Sequence, residues 1–205
     1  MNFQSLATEF VQQLFATSLT EYVAVFFGIL SVLYAKKNHV LLYPTGIIST
    51  SLFVWIMSEA GLYAESALNS YYFIMSLYGW WLWHQHKESE NAKAITKASK
   101  RDWMVVLVIT LFGWALLYFI LKNYTTSDVA GWDAWVSATA WAGMWLLAKH
   151  KLENWLLLNI SNLIAIPLQV HKGIPLTALL TVFLFIIAIF GYLRWRKSYY
   201  AIQIH

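Results

Sequence analysis

The chain has 205 residues, of which 60% are hydrophobic, 18% aromatic and only 12% charged, and its mean hydropathy is +0.54. A water-soluble domain of this length cannot bury so much apolar surface, so the composition predicts an all-α integral membrane protein. The formal net charge of +4 does not indicate a nucleic-acid partner, because the basic residues lie in short loops between apolar runs.

The first segment, residues 1–19, does not resemble a secretory signal. Residues 1–21 contain Glu9 and Glu21 but no Lys or Arg, the reverse of the basic start of such a signal. The apolar residues of this stretch fall at helical spacing, which indicates a short amphipathic helix lying on the membrane; a disordered tail is the alternative.

Seven apolar runs follow, each near the length of about 20 residues that crosses a bilayer core. The connections between them are short, apart from the polar, Lys-rich stretch 84–102. We predict transmembrane helices at residues 20–35, 40–57, 62–83, 103–121, 130–148, 153–171 and 174–194. Pro44 and Pro167 fall inside the second and sixth of these, where each is either a hinge or a static kink.

The two ends of the chain resemble each other. Phe27-Gly28-Ile29 is matched 115 residues later by Ala142-Gly143-Met144, and after a three-residue deletion Gly79 and Trp83 are matched by Gly191 and Trp195. Similar composition is the alternative, but the aligned glycines favour a duplicated three-helix unit. With one linker helix between them, the repeats are parallel, a 3+1+3 arrangement. The predicted units are a first repeat (20–83), a cytoplasmic loop and linker helix (84–129), a second repeat (130–195) and a cytoplasmic tail (196–205).

The basic residues predict the orientation. The odd-numbered helices are followed by 12 of the 14 Lys and Arg residues, and only Lys122 and Lys172 fall on the other side of the membrane. Positively charged loops stay in the cytoplasm. We therefore expect the N-terminus outside and the C-terminus in the cytoplasm.

The predicted spans contain few side chains that could act in catalysis or bind a metal. The six histidines lie at helix ends or in loops, there is no cysteine, and no Asp or Glu lies near the middle of a span. No metal site, cofactor or catalytic group is therefore expected, and an enzyme is disfavoured. The seventh helix also lacks the interior Lys that a retinal receptor requires. A duplicated helical unit in a membrane protein is typical of a transporter. A transporter without a buried carboxylate is expected to be a uniporter, although backbone carbonyls at a broken helix leave a Na⁺ site open.

Neutral polar residues among aromatic ones mark the candidate site. On the sixth helix, Trp155, Asn159, Asn162 and Gln169 share one face. These amides either bind neighbouring helices or line a ligand cavity, and the cost of burying an unpaired amide favours the cavity. Similar faces occur on the third and fifth helices. The predicted substrate-binding residues are Asn69, Tyr72, Ser76, Trp141, Trp155, Asn159 and Asn162.

The second repeat resembles the C-terminal signature of the PnuC family of vitamin transporters. The signature residues are Leu152-Glu153-Asn154-Trp155-Leu156-Leu157, Asn162, Ile166-Pro167-Leu168, Gly173, Gly191 and Trp195, and Leu62-Tyr63-Ala64 through Tyr78-Gly79-Trp80 with Trp83 resembles the first repeat. The resemblance covers nearly all of the chain. It implies a fold similar to SWEET sugar transporters, a homotrimer in the bacterial inner membrane, facilitated diffusion of an unphosphorylated vitamin, and trapping of that vitamin by a cytoplasmic kinase.

The resemblance also bears on the substrate. Members that carry nicotinamide riboside typically have Trp-x-x-Trp on the sixth helix and Gln on the third. Here Leu158 takes the second Trp position and Asn69 the Gln position. We therefore expect a cationic heteroaromatic B vitamin, with thiamine favoured and nicotinamide riboside as the alternative. A membrane receptor or scaffold is the alternative of another class.

Overall fold

The structure is a computed structural model that describes residues 18–59, 63–85, 94–125 and 127–203. These residues form seven helices: α1 Leu19–Lys36, α2 Leu42–Glu59, α3 Tyr63–Gln85, α4 Lys100–Tyr124, α5 Ala130–Ala148, α6 Asn154–His171 and α7 Pro175–Gln203. Each predicted span coincides with one helix, so the all-helical fold is confirmed. The predicted amphipathic segment lies outside the described residues, except for its last two positions.

Local chemistry explains where several helices begin. The hydroxyl of Ser18 accepts a hydrogen bond from the backbone N–H of Glu21 and caps α1, while Ser99 and Asp102 cap each other's backbone at the start of α4. Pro44 is the third residue of α2, where a helix has no backbone hydrogen bond to lose. Pro167 lies inside α6. Of the two prolines, only Pro167 is therefore placed to bend a helix.

The helices pack as two bundles joined by α4. In the first bundle (α1–α3) and the second bundle (α5–α7), each helix packs against the next in sequence. Helix α4 packs against α5, and the bundles meet where α3 contacts α5 and α1 contacts α7. A short bridge between Thr96 and Lys151 fixes the segment before α4 to the α5–α6 turn. This packing leaves space between the two bundles.

The helix bounds of the first bundle recur 112 residues later. Helix α2 spans residues 42–59 and α6 spans 154–171, while α3 and α7 begin at 63 and 175. The details recur as well: Ser49 Oγ donates to the carbonyl of Ala24, and Ser161 Oγ to that of Val136, both at 2.8 Å.

This single offset differs from the register expected from the sequence. Aligning Gly28 with Gly143 gave an offset of 115 and required a deletion, whereas the helix bounds correspond at an offset of 112 without one. The two glycines are not equivalent positions of the repeat, because each contacts a different neighbour. Gly28 faces Ser49, and Gly143 faces Leu158. Residues three apart share a helical face, so a slip of three positions preserved the apolar pattern.

Several helices have the character of membrane spans. Among the described residues, three are long and apolar enough to cross a bilayer by length and composition: Leu19–Lys36, Lys100–Tyr124 and Thr177–Ala201. Helix α4 shows this most clearly, because Met104, Leu107, Val108 and Phe112 are each at least 60% exposed. A row of large, mostly exposed apolar side chains fits a surface that faces lipid.

Candidate functional site

A cavity of about 420 Å³ lies between the two bundles. All six helices of the bundles contribute to its wall, and α4 does not. Its volume is in the range of sites for small organic ligands, roughly 300–1,000 Å³. Among the described residues that line it, none is charged. The cavity therefore offers aromatic surfaces and neutral hydrogen-bonding groups.

The cavity wall follows the 112-residue offset. Most lining positions form pairs that are 112 residues apart, one from each bundle. These pairs include Gly28 and Ala140, Ser49 and Ser161, Thr50 and Asn162, Asn69 and Thr181, Tyr72 and Leu184, and Ser76 and Ala188. The backbone frame of the cavity is thus close to symmetric, whereas its polar side chains are not.

Five of the seven predicted site residues line this cavity. Asn69, Tyr72 and Ser76 reach it from α3, and Trp155 and Asn162 reach it from α6. The structure brings these two helices, distant in sequence, to the wall of one cavity. Their role in substrate binding remains a prediction.

Trp155 is held firmly at the cavity wall. Its side chain is 1% exposed, and its ring meets that of Trp195 edge to face, with 5.6 Å between ring centroids. Gly191 lies against the other side: a Cβ at that position would be 2.7 Å from Cζ2 of Trp155. The indole Nε1 is buried and has no hydrogen-bond partner among the described residues.

Gln169 is a lining residue that the predicted set did not include. It lies on the same α6 stripe, and its Oε1 is buried without a hydrogen-bond partner in the described part of the chain. A buried polar atom without a partner costs about 1–3 kcal/mol. A ligand that supplies a donor to Gln169 and an acceptor to Trp155 would remove two such penalties.

The other two predicted residues lie outside the cavity lining. Trp141 stacks on Tyr71, with 4.8 Å between ring centroids, and lies next to Gly113 of α4. Asn159 lies outside the lining because the face of α6 that borders the cavity runs through Trp155, Leu158 and Asn162. Each residue turns about 100° around a helix, so Asn159 falls beside this face.

Several hydroxyl groups in the cavity wall were not predicted from the sequence. Ser31 Oγ donates to the carbonyl of Leu42 at 2.7 Å, Thr50 to Gly46 at 2.8 Å and Thr181 to Thr177 at 2.9 Å. Serine and threonine hydroxyls in a helix can donate to a nearby backbone carbonyl. Their positions in the sequence therefore do not show whether they line a cavity. The 112-residue offset would have identified Thr50 and Thr181, because their counterparts Asn162 and Asn69 were already predicted.

Several charged side chains form ion pairs outside the cavity. At the α6–α7 turn, Lys172 Nζ lies 2.6 Å from both carboxylate oxygens of Asp133. His171 Nε2 lies 2.9 Å from Asp128, and this hydrogen bond lowers the pKa of the Asp128 carboxyl. No group of three or more metal-ligating side chains occurs among the residues that the structure describes.

Comparisons with known proteins agree with this architecture. The family described as "Nicotinamide mononucleotide transporter" matches residues 18–197. Nicotinamide riboside transporter PnuC of Escherichia coli (strain K12) is 23% identical over 206 residues, covering 88% of this chain and 86% of that protein. PnuC of Neisseria mucosa is 25% identical over 191 residues, covering 85% and 71% respectively.

A solved structure shows the same fold. The crystal structure of the vitamin B3 transporter PnuC has a TM-score of 0.71 and 24% sequence identity, and the match covers 97% of this chain and 89% of that one. The expectation of a transporter rather than an enzyme is confirmed, because the matching family and relatives are all transporters. With a family match over most of its length and apolar helices around a central cavity, the chain is an integral membrane protein that belongs to the PnuC family of transporters.

Proposed function

We propose that this protein imports unphosphorylated nicotinamide riboside by facilitated diffusion. The observation that carries the proposal is the uncharged cavity between the bundles, lined by aromatic rings and amides. The named relatives are nicotinamide riboside transporters. Their names support this substrate over thiamine, which the sequence had favoured on the basis of Leu158 and Asn69.

The chemistry of the cavity matches a cationic riboside. Tyr72, Trp155 and Phe53 contribute aromatic side chains to the cavity wall, and aromatic faces attract a cationic ring without a carboxylate partner. The amides of Asn69, Asn162 and Gln169 can bind the carboxamide and the sugar hydroxyls.

The family description also mentions the mononucleotide, which the cavity disfavours. A phosphate carries nearly two negative charges and is normally bound by Arg, Lys or helix N-termini. Among the described lining residues there is no Lys, Arg or His. Burying a phosphate in this cavity would leave its charge unpaired.

The rest of the proposal follows from charge and repeat pattern. The distribution of Lys and Arg supports an external N-terminus and a cytoplasmic C-terminus in the bacterial inner membrane. The shared offset supports a 3+1+3 parallel-repeat, SWEET-like arrangement in which the bundles rock about the cavity. We further propose a homotrimer, and net uptake that depends on a cytoplasmic kinase.

Transport by the purified protein in proteoliposomes tests the substrate. We expect saturable uptake of radiolabelled nicotinamide riboside, with thiamine and nicotinamide mononucleotide each at less than a tenth of its rate. Empty liposomes and denatured protein are the controls. Preferred uptake of thiamine would restore the expectation from the sequence, and uptake of none of the three would favour a receptor or scaffold.

The same vesicles test the energetics. A uniporter equilibrates its substrate, so the internal concentration should level off at the external one. An imposed pH or Na⁺ gradient should leave that level unchanged, because the described lining has no Asp, Glu or His to bind the ion. Accumulation several-fold above the external level under either gradient would reveal an ion site.

A further inference from the structure

The two bundles are in contact at one end of the cavity. This end contains the α1–α2 and α5–α6 turns, and under the proposed orientation it faces the cytoplasm. The largest buried apolar cluster lies here and draws residues from both bundles, including Ala35, Tyr43, Leu147, Trp155 and Trp195. Three of them, Ala35, Leu147 and Trp155, also line the cavity. The cluster therefore separates the cavity from the cytoplasm.

Two polar contacts cross between the bundles within this cluster. The hydroxyl of Tyr43 in α2 lies 3.3 Å from Nε2 of His150, which is in the α5–α6 turn. The indole Nε1 of Trp195 in α7 donates to the carbonyl of Ala35 in α1 at 3.0 Å. Both contacts join residues more than 100 positions apart in sequence. Neither can persist if the two bundles separate at this end.

His150 is positioned between aromatic rings of both bundles. It is 6% exposed, and its ring meets Trp83 of α3 edge to face at 5.1 Å and Trp195 of α7 at 6.2 Å. Its backbone has a φ of 52°, in the left-handed region. A residue other than glycine rarely adopts this conformation without a compensating reason.

The same backbone turn occurs in the first bundle. Asn38, 112 residues earlier, has a φ of 50°, a conformation that asparagine tolerates well. The turn itself thus belongs to the repeated frame, and the imidazole is specific to the second bundle. The imidazole is what reaches across to Tyr43.

We propose that Tyr43 and His150 form a latch that holds the cytoplasmic end of the cavity closed and must break in each transport cycle. The proposal rests on the carrier function proposed above. Tyr43 supplies one half of the latch from the first bundle, and Gly79 of α3 allows its ring to pack closely. His150 supplies the other half, held between Trp83 and Trp195. Both are positioning residues: they set the balance of conformations and leave the substrate contacts to the cavity.

Cysteine accessibility tests the latch, because the chain has no native cysteine. Ser76 lines the cavity, so Ser76→Cys reports whether a water-soluble maleimide can enter from either side. Tyr43→Phe removes the hydroxyl and keeps the ring. Since one hydrogen bond is worth about a fivefold change in an equilibrium, labelling from the cytoplasmic side should rise about fivefold and labelling from outside should fall.

His150→Asn provides a second, independent variant. Asparagine preserves the left-handed backbone, as Asn38 shows, but removes the imidazole from between the two indoles. We expect a larger rise in cytoplasmic labelling than Tyr43→Phe gives, because both the hydrogen bond and the ring contacts are lost.

Tyr71→Phe is the matched control. The Tyr71 hydroxyl also bonds across the bundles, to the carbonyl of Trp141 at 3.1 Å, but it lies outside the apolar cluster described here. Its removal should leave cytoplasmic labelling within twofold of the Ser76→Cys parent. Unchanged labelling in both latch variants, or an equal rise from both sides, would overturn the latch.

The outcome is separable from the proposed substrate and orientation. Labelling needs no substrate, so faster one-sided labelling supports the latch even if nicotinamide riboside is not transported. Glu90→Cys, in the 84–102 connection, identifies the cytoplasmic side in parallel samples. If Glu90→Cys is labelled from outside, the orientation is reversed, and the latch predicts faster labelling on that same side.

Discussion

The two bundles have corresponding helix bounds but differ in the hydrogen bonding of their polar side chains. In α1 and α2, the lining hydroxyls of Ser31, Ser49 and Thr50 all donate to helix carbonyls. In α6, Trp155 and Gln169 have buried polar atoms without partners among the described residues. Polar groups satisfied by backbone stabilise packing, whereas unsatisfied ones are available to a ligand. We therefore expect α1 and α2 to act mainly as scaffold and α6 to provide most of the ligand contacts.

This difference shows how a near-symmetric frame can hold an asymmetric ligand. Where Asn162 lines the second half of the cavity, Thr50 lines the first; where Asn69 lines the first, Thr181 lines the second. The two amides thus occupy positions that the repeat does not relate. A ligand turned by half a turn would meet different groups, so we expect a single binding orientation.

The largest expected effect comes from Gly191, which packs against Trp155. Gly79 and Tyr43 are the corresponding residues of the first bundle, 112 positions earlier. Gly191→Ala would place a Cβ 2.7 Å from Cζ2 of Trp155, which must displace the indole from the cavity wall. Such overpacking costs about 1–3 kcal/mol. We expect substrate affinity to fall more than tenfold, measured by calorimetry in detergent, together with a lower Tm.

Gly79→Ala is the corresponding change in the first bundle. Its Cβ would clash with the ring of Tyr43, which does not line the cavity. We expect a similar loss of Tm but an affinity within about threefold of the parent. Equal losses of affinity in both variants would mean that the bundles contribute equally to binding, contrary to the comparison.

A smaller effect is expected from the pair Asn162 and Thr50. Asn162→Ala removes an amide from the cavity, and a hydrogen bond to a buried ligand contributes about 1 kcal/mol. We expect affinity to fall about fivefold. Thr50→Ala removes a hydroxyl that already bonds to Gly46, so affinity should remain within twofold. The reverse ranking would assign binding to the first bundle.

The fold was largely predictable from the sequence, because helix spacing and turn residues are local signals. The seven spans were placed within a few residues of the helices. Helix α7 is the exception: its predicted end was at 194, but the helix continues to Gln203. An apolar run marks the membrane, whereas the polar residues beyond it continue the helix without an apolar signal.

The site was less predictable, because which side of a helix faces the cavity depends on tertiary packing. The α6 stripe grouped Trp155 with Asn162, and both line the cavity. Five of the seven predicted site residues line it in all. The correspondence of lining positions between the two bundles could not be recognised without the correct offset. Leu158 shows the limit most clearly. It lines the cavity and packs on Gly143, although only the family resemblance, and not its apolar side chain, pointed to that position.

The smallest expected effect concerns Asn159, which the sequence groups with Asn162 and the structure places beside the cavity lining. Its Oδ1 is buried without a partner among the described residues, so the side chain is available to a neighbour but not directed into the cavity wall. Asn159→Ala should therefore change affinity by less than twofold, while Asn162→Ala in the same titration loses about fivefold. The two residues lie on one helix and differ by three positions, so a general loss of α6 would affect both. If Asn159→Ala weakens binding as much as Asn162→Ala, the binding face of α6 is wider than the cavity and includes the stripe that the sequence predicts.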